Sequence, residues 1–149
     1  MKSTSVLLCL LVTSISLGLS QTAHAGSDPL STVAAFHEAL SKGDKAAALA
    51  ELHDNVLIYE SGHVERSRNE YASHHLGSDM AFSQAVSRKL LKSDVRTHGD
   101  LAVVTQETET TGRYKDKDVH LIGVETTVLT RTDGGWSISH VHWSSRKAH

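Results

Sequence analysis

The sequence predicts an α+β protein in which three N-terminal helices pack in the concavity of a strongly curved, mainly antiparallel sheet. Two observations support this prediction. Helix-capping signals are concentrated in the first half of the chain, whereas β-branched segments separated by turn signals fill the second half. Helices gathered early and strands gathered late are typical of α+β folds, because a parallel sheet needs strands and helices in alternation.

The first 25 residues have the composition of a secretory signal peptide. Lys2 supplies a positive start, residues 6–19 are mostly apolar, and Ala23, His24 and Ala25 form an A-x-A cleavage site. The apolar run is interrupted by hydroxyl residues and is shorter than the roughly 20 residues of a membrane span. We therefore expect residues 1–25 to be removed. Residues 26–149 then form a single secreted, periplasmic domain with no attachment to a membrane.

Two helices are predicted at the start of this domain. Asp28 followed by Pro29 is a strong helix start, since aspartate caps the free N–H groups and proline suits the first helical position. Gly43 ends this helix. Asp44 then caps a second, alanine-rich helix that runs to about His53.

A third short helix is predicted further along the chain. Ser67 and Glu70 form an S-x-x-E capping box, and Gly77 is a stop signal. His74 and His75 therefore lie in the last turn of this helix.

The other segments have the two-residue periodicity of strands. In the first strand, Val56, Ile58 and Glu60 share one face, whereas Leu57 and Tyr59 share the other. Turn signals such as Gly-Asp and "TDGG" separate four further strands. These strands fall within residues 85–100, 101–114, 117–135 and 136–146.

Composition narrows the possible functions. The net charge is −2 with neutral histidine, and no extended basic cluster is present, so nucleic-acid binding is not expected. The one cysteine, Cys9, lies in the predicted signal peptide, so the mature domain has no disulfide and no thiolate ligand. The unusual count is 11 histidines.

Two histidines lie one residue apart in the last strand. His140 and His142 share a face because strand side chains alternate. Ile138 belongs to the same alternation, so we predict that this face points inward. Trp143 is then predicted on the outer face. The alternative is that both histidines are structural, partly buried and hydrogen-bonded to neighbouring strands.

Glu60 would be costly to bury after two apolar residues unless it had a partner. We therefore expect a polar partner for Glu60, with the histidines as candidates and Tyr59 as a further ligand-binding residue. Neutral imidazoles together with a carboxylate suit copper or zinc. The predicted metal ligands are His74, His75, His140, His142 and Glu60.

Three segments carry a resemblance to the NTF2-like superfamily, and in particular to its SnoaL-like or DUF4440-type branch. They are "DNVLIYESG" after two helices, "SRNEYASHHLGSDMAF" as the third helix and its exit, and "GGWSISHVHWSS" as the last strand. The resemblance covers essentially all of residues 26–149. It implies a cone-shaped half-barrel with a pocket at its open end, where the end of the third helix would bring His74 and His75 to Glu60. It also implies a homodimer formed through the sheet, with Trp143 at or near the contact.

The resemblance does not imply one reaction, because this fold carries enzymes, ligand-binding modules and assembly domains. The preferred hypothesis is a pocket protein that binds a small molecule or a copper or zinc ion. The alternative is a small-molecule enzyme of the SnoaL or ketosteroid-isomerase type with a histidine or Glu60 as general base. Tyr59 and Asp79 are possible counterparts of the isomerase tyrosine and aspartate, although no motif identifies them.

Overall fold

The computed structural model describes residues 28–148. The predicted signal peptide therefore lies outside the described residues. Four helices are present in the described part: α1 (Pro29–Lys42), α2 (Lys45–Ala50), α3 (Arg68–His74) and α4 (Leu76–Ala85). Within residues 28–148, none of the helices has both the length and the apolar character needed to cross a membrane.

Six strands form one curved, unclosed sheet. In chain order they are β1 (Leu52–Glu60), β2 (His63–Glu65), β3 (Val86–His98), β4 (Leu101–Tyr114), β5 (Lys117–Thr132) and β6 (Gly135–Lys147). Their spatial order is β2-β1-β6-β5-β4-β3. All neighbours are antiparallel except β1 and β6, which run parallel, so the sheet is mixed. The predicted α+β class is confirmed.

The helix caps form as their residues predict. The Asp28 side chain accepts hydrogen bonds from the N–H groups of Leu30 and Ser31, and Gly43 ends α1 in the left-handed conformation with φ 70°. Ser67 caps α3 by accepting from the N–H of Glu70. These caps place the buried side of α1 against the sheet, where Val33 and Phe36 are fully buried.

The prediction of three helices misses α4. Gly77 is not in the left-handed conformation, and the helix continues through it to Ala85. The break between α3 and α4 is instead at His75, which offers no side-chain cap to α4. Gly77, which was interpreted as a helix stop, therefore lies inside a helix. The segment that follows α3 is helical rather than a loop.

The prediction that the strand face with His140 and His142 points inward is wrong, because β6 contains a β-bulge at Ser139. Ile138 pairs with Leu129, but His140 pairs with Val128, so one residue of β6 has no counterpart on β5. An extra residue reverses the alternation of every side chain that follows it. Ile138 is buried, yet the buried residue beyond the bulge is Val141.

Trp143 therefore points inward with Val141, and its ring stacks on Phe36 at 6.2 Å between centroids. His140 and His142 point to the outer face. There both rings meet the edge of Tyr59, at 5.2 and 6.1 Å between centroids. Both predictions are therefore corrected: His140 and His142 lie on the outer face of the sheet, and Trp143 lies on the inner face.

Candidate functional site

A cavity of about 330 Å³ lies between α1, α4 and the inner face of the sheet. Its lining combines an apolar surface with two groups of charged side chains on different elements. The apolar residues are Leu40, Phe82, Leu121, Val124 and Trp143, and the ionisable residues are His37, Glu60, Asp79, Arg88 and Glu125.

The first charged group is a pair of carboxyl groups, Glu60 and Asp79. Glu60 is the last residue of β1 and points inward by the alternation that also buries Val56 and Ile58. Asp79 lies in the first turn of α4. Burial raises the pKa of Glu60, and the nearby charge of Asp79 raises it further. Burial also raises the pKa of Asp79.

Tyr71 distinguishes the two carboxyl groups. Its side chain is fully buried, and its hydroxyl donates a hydrogen bond of 2.8 Å to Asp79 Oδ2. This bond stabilises the Asp79 carboxylate and opposes the effect of burial on its pKa. No such donor to Glu60 is found among residues 28–148. The neutral acid is therefore relatively more favoured at Glu60 than at Asp79.

His75 and Glu65 lie next to Glu60 and Asp79 and affect their charge. His75 Nδ1 lies 2.5 Å from Glu65 Oε1, and the hydrogen bond to Glu65 raises the pKa of His75. The positive charge of protonated His75 lowers the pKa of both Glu60 and Asp79. The imidazole therefore keeps the carboxyl pair closer to ionisation than burial alone would.

The other charged group is centred on Glu125 of β5. Burial alone would raise the pKa of this carboxyl, but His37, Thr127 and Arg88 together lower it to about 2. His37 Nε2 and the Thr127 hydroxyl lie 2.8 and 2.7 Å from the carboxylate, and Arg88 lies at 3.3 Å. Glu125 is thus ionised, and its contact with the Arg88 guanidinium orients that side chain at the cavity wall.

Trp143 adds a polar atom to this apolar wall. Its indole Nε1 is buried and has no hydrogen-bond partner in the described structure. A buried donor without an acceptor is unfavourable by about 1–3 kcal/mol. An acceptor atom on a bound molecule would remove this cost.

The residues predicted as one site fall on two sides of the sheet. Glu60 faces the cavity, and His75 lies next to it through Glu65. His74 is exposed, with its Nδ1 3.3 Å from Glu65 Oε2. Tyr59, His140 and His142 lie on the outer face, and His140 Nδ1 is 2.8 Å from the Leu57 carbonyl oxygen. The five predicted metal ligands therefore cannot form a single site, because the sheet separates His140 and His142 from the others.

The sequence interpretation missed several residues of the cavity and its surroundings. Asp79 was named only as a possible counterpart, and Tyr71, Arg88 and Glu125 were not considered for the site. His37 was interpreted as a surface or loop residue, but it lies in α1 and contacts Glu125 in the cavity wall. A signal was available for Glu125, whose carboxylate stands between aliphatic and threonine residues in its strand. Arg88 carried no such signal, because its strand contains several other charged residues. Nothing in the sequence pattern links Tyr71 to Asp79, because their contact depends on the unpredicted helix α4.

Comparisons with known proteins define the family. The SnoaL-like domain family matches residues 30–146, so the chain belongs to the SnoaL-like family within the NTF2-like superfamily. A candidate ketosteroid isomerase from Shewanella frigidimarina NCIMB 400 is 41% identical, with a TM-score of 0.74 over 76% of this chain and 91% of that one. A search of curated proteins finds no matching sequence.

More distant structures share the fold. A candidate dehydratase of the NTF2-like family from Streptomyces avermitilis is 24% identical, with a TM-score of 0.68 over 78% of this chain and 92% of that one. The CaMKII hub of S. rosetta is 20% identical, with a TM-score of 0.65 over 78% and 93%. At these identities the likeness shows the fold alone.

Proposed function

We propose that this protein is an enzyme that transfers a proton at a carbon next to the carbonyl group of a small, mostly apolar molecule. The observation that carries the proposal is the carboxyl pair Glu60 and Asp79. Both face one cavity, and the pKa of each is raised. Raised carboxyl pKa values in a cavity are typical of general acid and base catalysts.

The environments of the two groups suggest separate roles. Asp79 is the general base, because the Tyr71 hydrogen bond stabilises its ionised form. Glu60 is the acid, because burial and the Asp79 charge favour its protonated form. Pairs whose surroundings favour opposite protonation states are the usual acid and base assignments.

The proton transfer proceeds in two steps. Asp79 takes the proton from the carbon, and the electrons of that C–H bond form the enol while the carbonyl oxygen receives the proton of Glu60. Asp79 then returns its proton to a carbon of the same conjugated system as Glu60 recovers its own. The result is an isomerised carbonyl compound with no net change in protons.

The remaining wall suggests the substrate class. Leu40, Phe82 and Leu121 offer apolar surface, and the volume of about 330 Å³ falls in the range of small-molecule pockets. Arg88 and Trp143 Nε1 are donors on the same wall, so a second acceptor group on the substrate is expected there. The likeness to a candidate ketosteroid isomerase at 41% identity supports the same class of chemistry.

The test is exchange of hydrogen for deuterium at the carbon next to the carbonyl. Cyclic β,γ-unsaturated ketones of increasing size are incubated with the protein in D₂O, and exchange is followed by NMR together with the absorbance of the conjugated product. Wild-type protein and Asp118→Asn, a change at an exposed surface ion pair, should accelerate exchange equally. If no ketone in the series exchanges faster than in buffer, the proposal fails.

Filling the cavity should block binding. A Cβ at Gly123 would meet Thr108 Oγ1 at 2.8 Å, so Gly123→Val both crowds Thr108 and projects methyl groups into the cavity. We expect KM to rise by about tenfold or more, since one misfitted methylene in a pocket costs about that much. The matched control is Gly77→Ala, where an added Cβ meets nothing within 4 Å. An unchanged KM for Gly123→Val would place the substrate elsewhere.

We further propose that the chain is a homodimer formed through the outer sheet face, now with Tyr59 and His142 rather than Trp143 at the contact. Tyr59 is 38% exposed on that face. Tyr59→Asp should convert a dimer into a monomer at about 10 μM, a concentration that probes micromolar association. Light scattering measures the mass, and Leu30→Asp on the helical side is the control. A monomeric wild-type protein at this concentration would contradict the proposal.

A further inference from the structure

Glu65 on β2 has one carboxylate oxygen that the fold leaves unsatisfied. The side chain is 7% exposed, and Oε1 is held by His75 at 2.5 Å. Oε2 is buried and has no hydrogen-bond partner in the described residues. A buried anionic oxygen without a donor is unfavourable. This oxygen therefore points to a missing positive partner.

Two further ligand atoms lie next to this oxygen. His74 Nδ1 is 3.3 Å from Glu65 Oε2, a contact without hydrogen-bond geometry. Glu70 lies four residues before His74 on α3, so both side chains are on the same side of the helix. One ligand atom from each of Glu65, Glu70 and His74 lies within 4.8 Å of the others.

We propose that Glu65, Glu70 and His74 bind a divalent transition-metal ion, with zinc as the best match. Zinc forms bonds of about 2.0–2.2 Å to imidazole and carboxylate ligands in a tetrahedron, so neighbouring ligand atoms are about 3.3 Å apart. The contact between Glu65 and His74 has this length. The Glu70 carboxylate oxygen lies within 4.8 Å of the other two ligand atoms, so it needs to approach by at most about 1.5 Å, and the Glu70 side chain is only partly buried.

The site differs from the catalytic cavity and from the site predicted by the sequence. Glu70 and His74 do not line the cavity that contains Glu60 and Asp79. Glu70 Oε2 also accepts a hydrogen bond of 2.6 Å from the N–H of Arg66, the residue before the Ser67 cap, and the second carboxylate oxygen can coordinate. With the His74 side chain 62% exposed, water can complete the coordination.

Calorimetric titration of the metal-free, tag-free protein with ZnCl₂ at pH 7.5 tests the proposal. We expect one ion per chain with a Kd below about 10 μM. His74→Ala should weaken binding at least tenfold, and Glu65→Gln should do the same. Because His74 is exposed, its variant should fold even if the Glu65 variant does not, and circular dichroism checks both.

The matched control is the double variant His140→Ala and His142→Ala on the outer face. It removes two imidazoles but should leave the Kd unchanged. A wild-type Kd above 10 μM, a loss below tenfold for His74→Ala, or a loss in the control equal to that of His74→Ala would each overturn the proposal.

Discussion

Asp79→Asn should lower kcat/KM for proton transfer by about 10²–10⁴-fold, the usual contribution of a positioned general base. Asparagine keeps the size of the side chain, and its carbonyl oxygen can still accept the hydrogen bond from Tyr71. The change therefore removes the base while leaving the cavity largely intact. Steady-state kinetics with the best ketone of the deuterium-exchange series measures the effect.

The pH profile gives a second readout of the same assignment. Because the pKa of Asp79 is raised above its ordinary value of 3.8, activity should fall on the acid side at a pH above 3.8 as the base becomes protonated. Glu60 must hold its proton, so activity should also fall as the pH rises through the raised pKa of Glu60. Glu60→Gln should lose this alkaline limb and keep the acid limb.

The stability of Asp79→Asn separates a catalytic loss from a folding defect. A carboxyl whose pKa is raised by folding favours the folded state below its unfolded pKa and loses that advantage as pH rises through its folded pKa. At neutral pH the ionised Asp79 therefore destabilises the fold, and the amide should not. Urea unfolding at pH 7.5 should show equal or higher stability for the variant, with a smaller gain at pH 4. Full activity of a folded Asp79→Asn variant would contradict the assignment of the base, and an unfolded variant would contradict the expected effect on stability.

Much of the fold follows from local chemistry that the sequence displays. Asp28, Ser67 and Gly43 act within one turn of their own position, so the caps that they predict form as expected. The inward direction of Glu60 also follows from simple alternation along an unbroken stretch of β1. The family resemblance rests on the same local segments, and its SnoaL-like assignment is confirmed by the family match to residues 30–146.

The candidate site was harder to predict because it depends on contacts between distant elements. Tyr71 and Asp79 are in contact only because α4 follows α3. The helix α4 was not predicted, because Gly77 was interpreted as a helix stop. Arg88, Gln106 and Glu125 come from three neighbouring strands, and their meeting requires a register that no single segment specifies. The largest error came from one residue, Ser139, whose bulge reversed the predicted faces of His140, His142 and Trp143.

The bulge at Ser139 leads to the second large expected effect, a contrast between two single-residue deletions in β6. Deleting Ser139 removes the extra residue, so His140 follows Ile138 directly and the residues on both sides keep their faces. Deleting Ser137 has the opposite effect, because the buried residues Trp136 and Ile138 then become neighbours and cannot both point inward. One of these two side chains must leave the core.

Deleting Ser137 should destabilise the protein by about 1.5–3 kcal/mol, since one large apolar side chain loses its burial. The matched control is the deletion of Ser139, which should cost only the hydroxyl bond to the Val128 carbonyl oxygen. That bond contributes about 1 kcal/mol. Urea unfolding compares the two deletion variants with the wild type, and tryptophan fluorescence reports whether the indole rings stay buried. If deleting Ser139 destabilised the protein as much as deleting Ser137, Ser139 would not be the extra residue of β6, because its removal would then displace core residues.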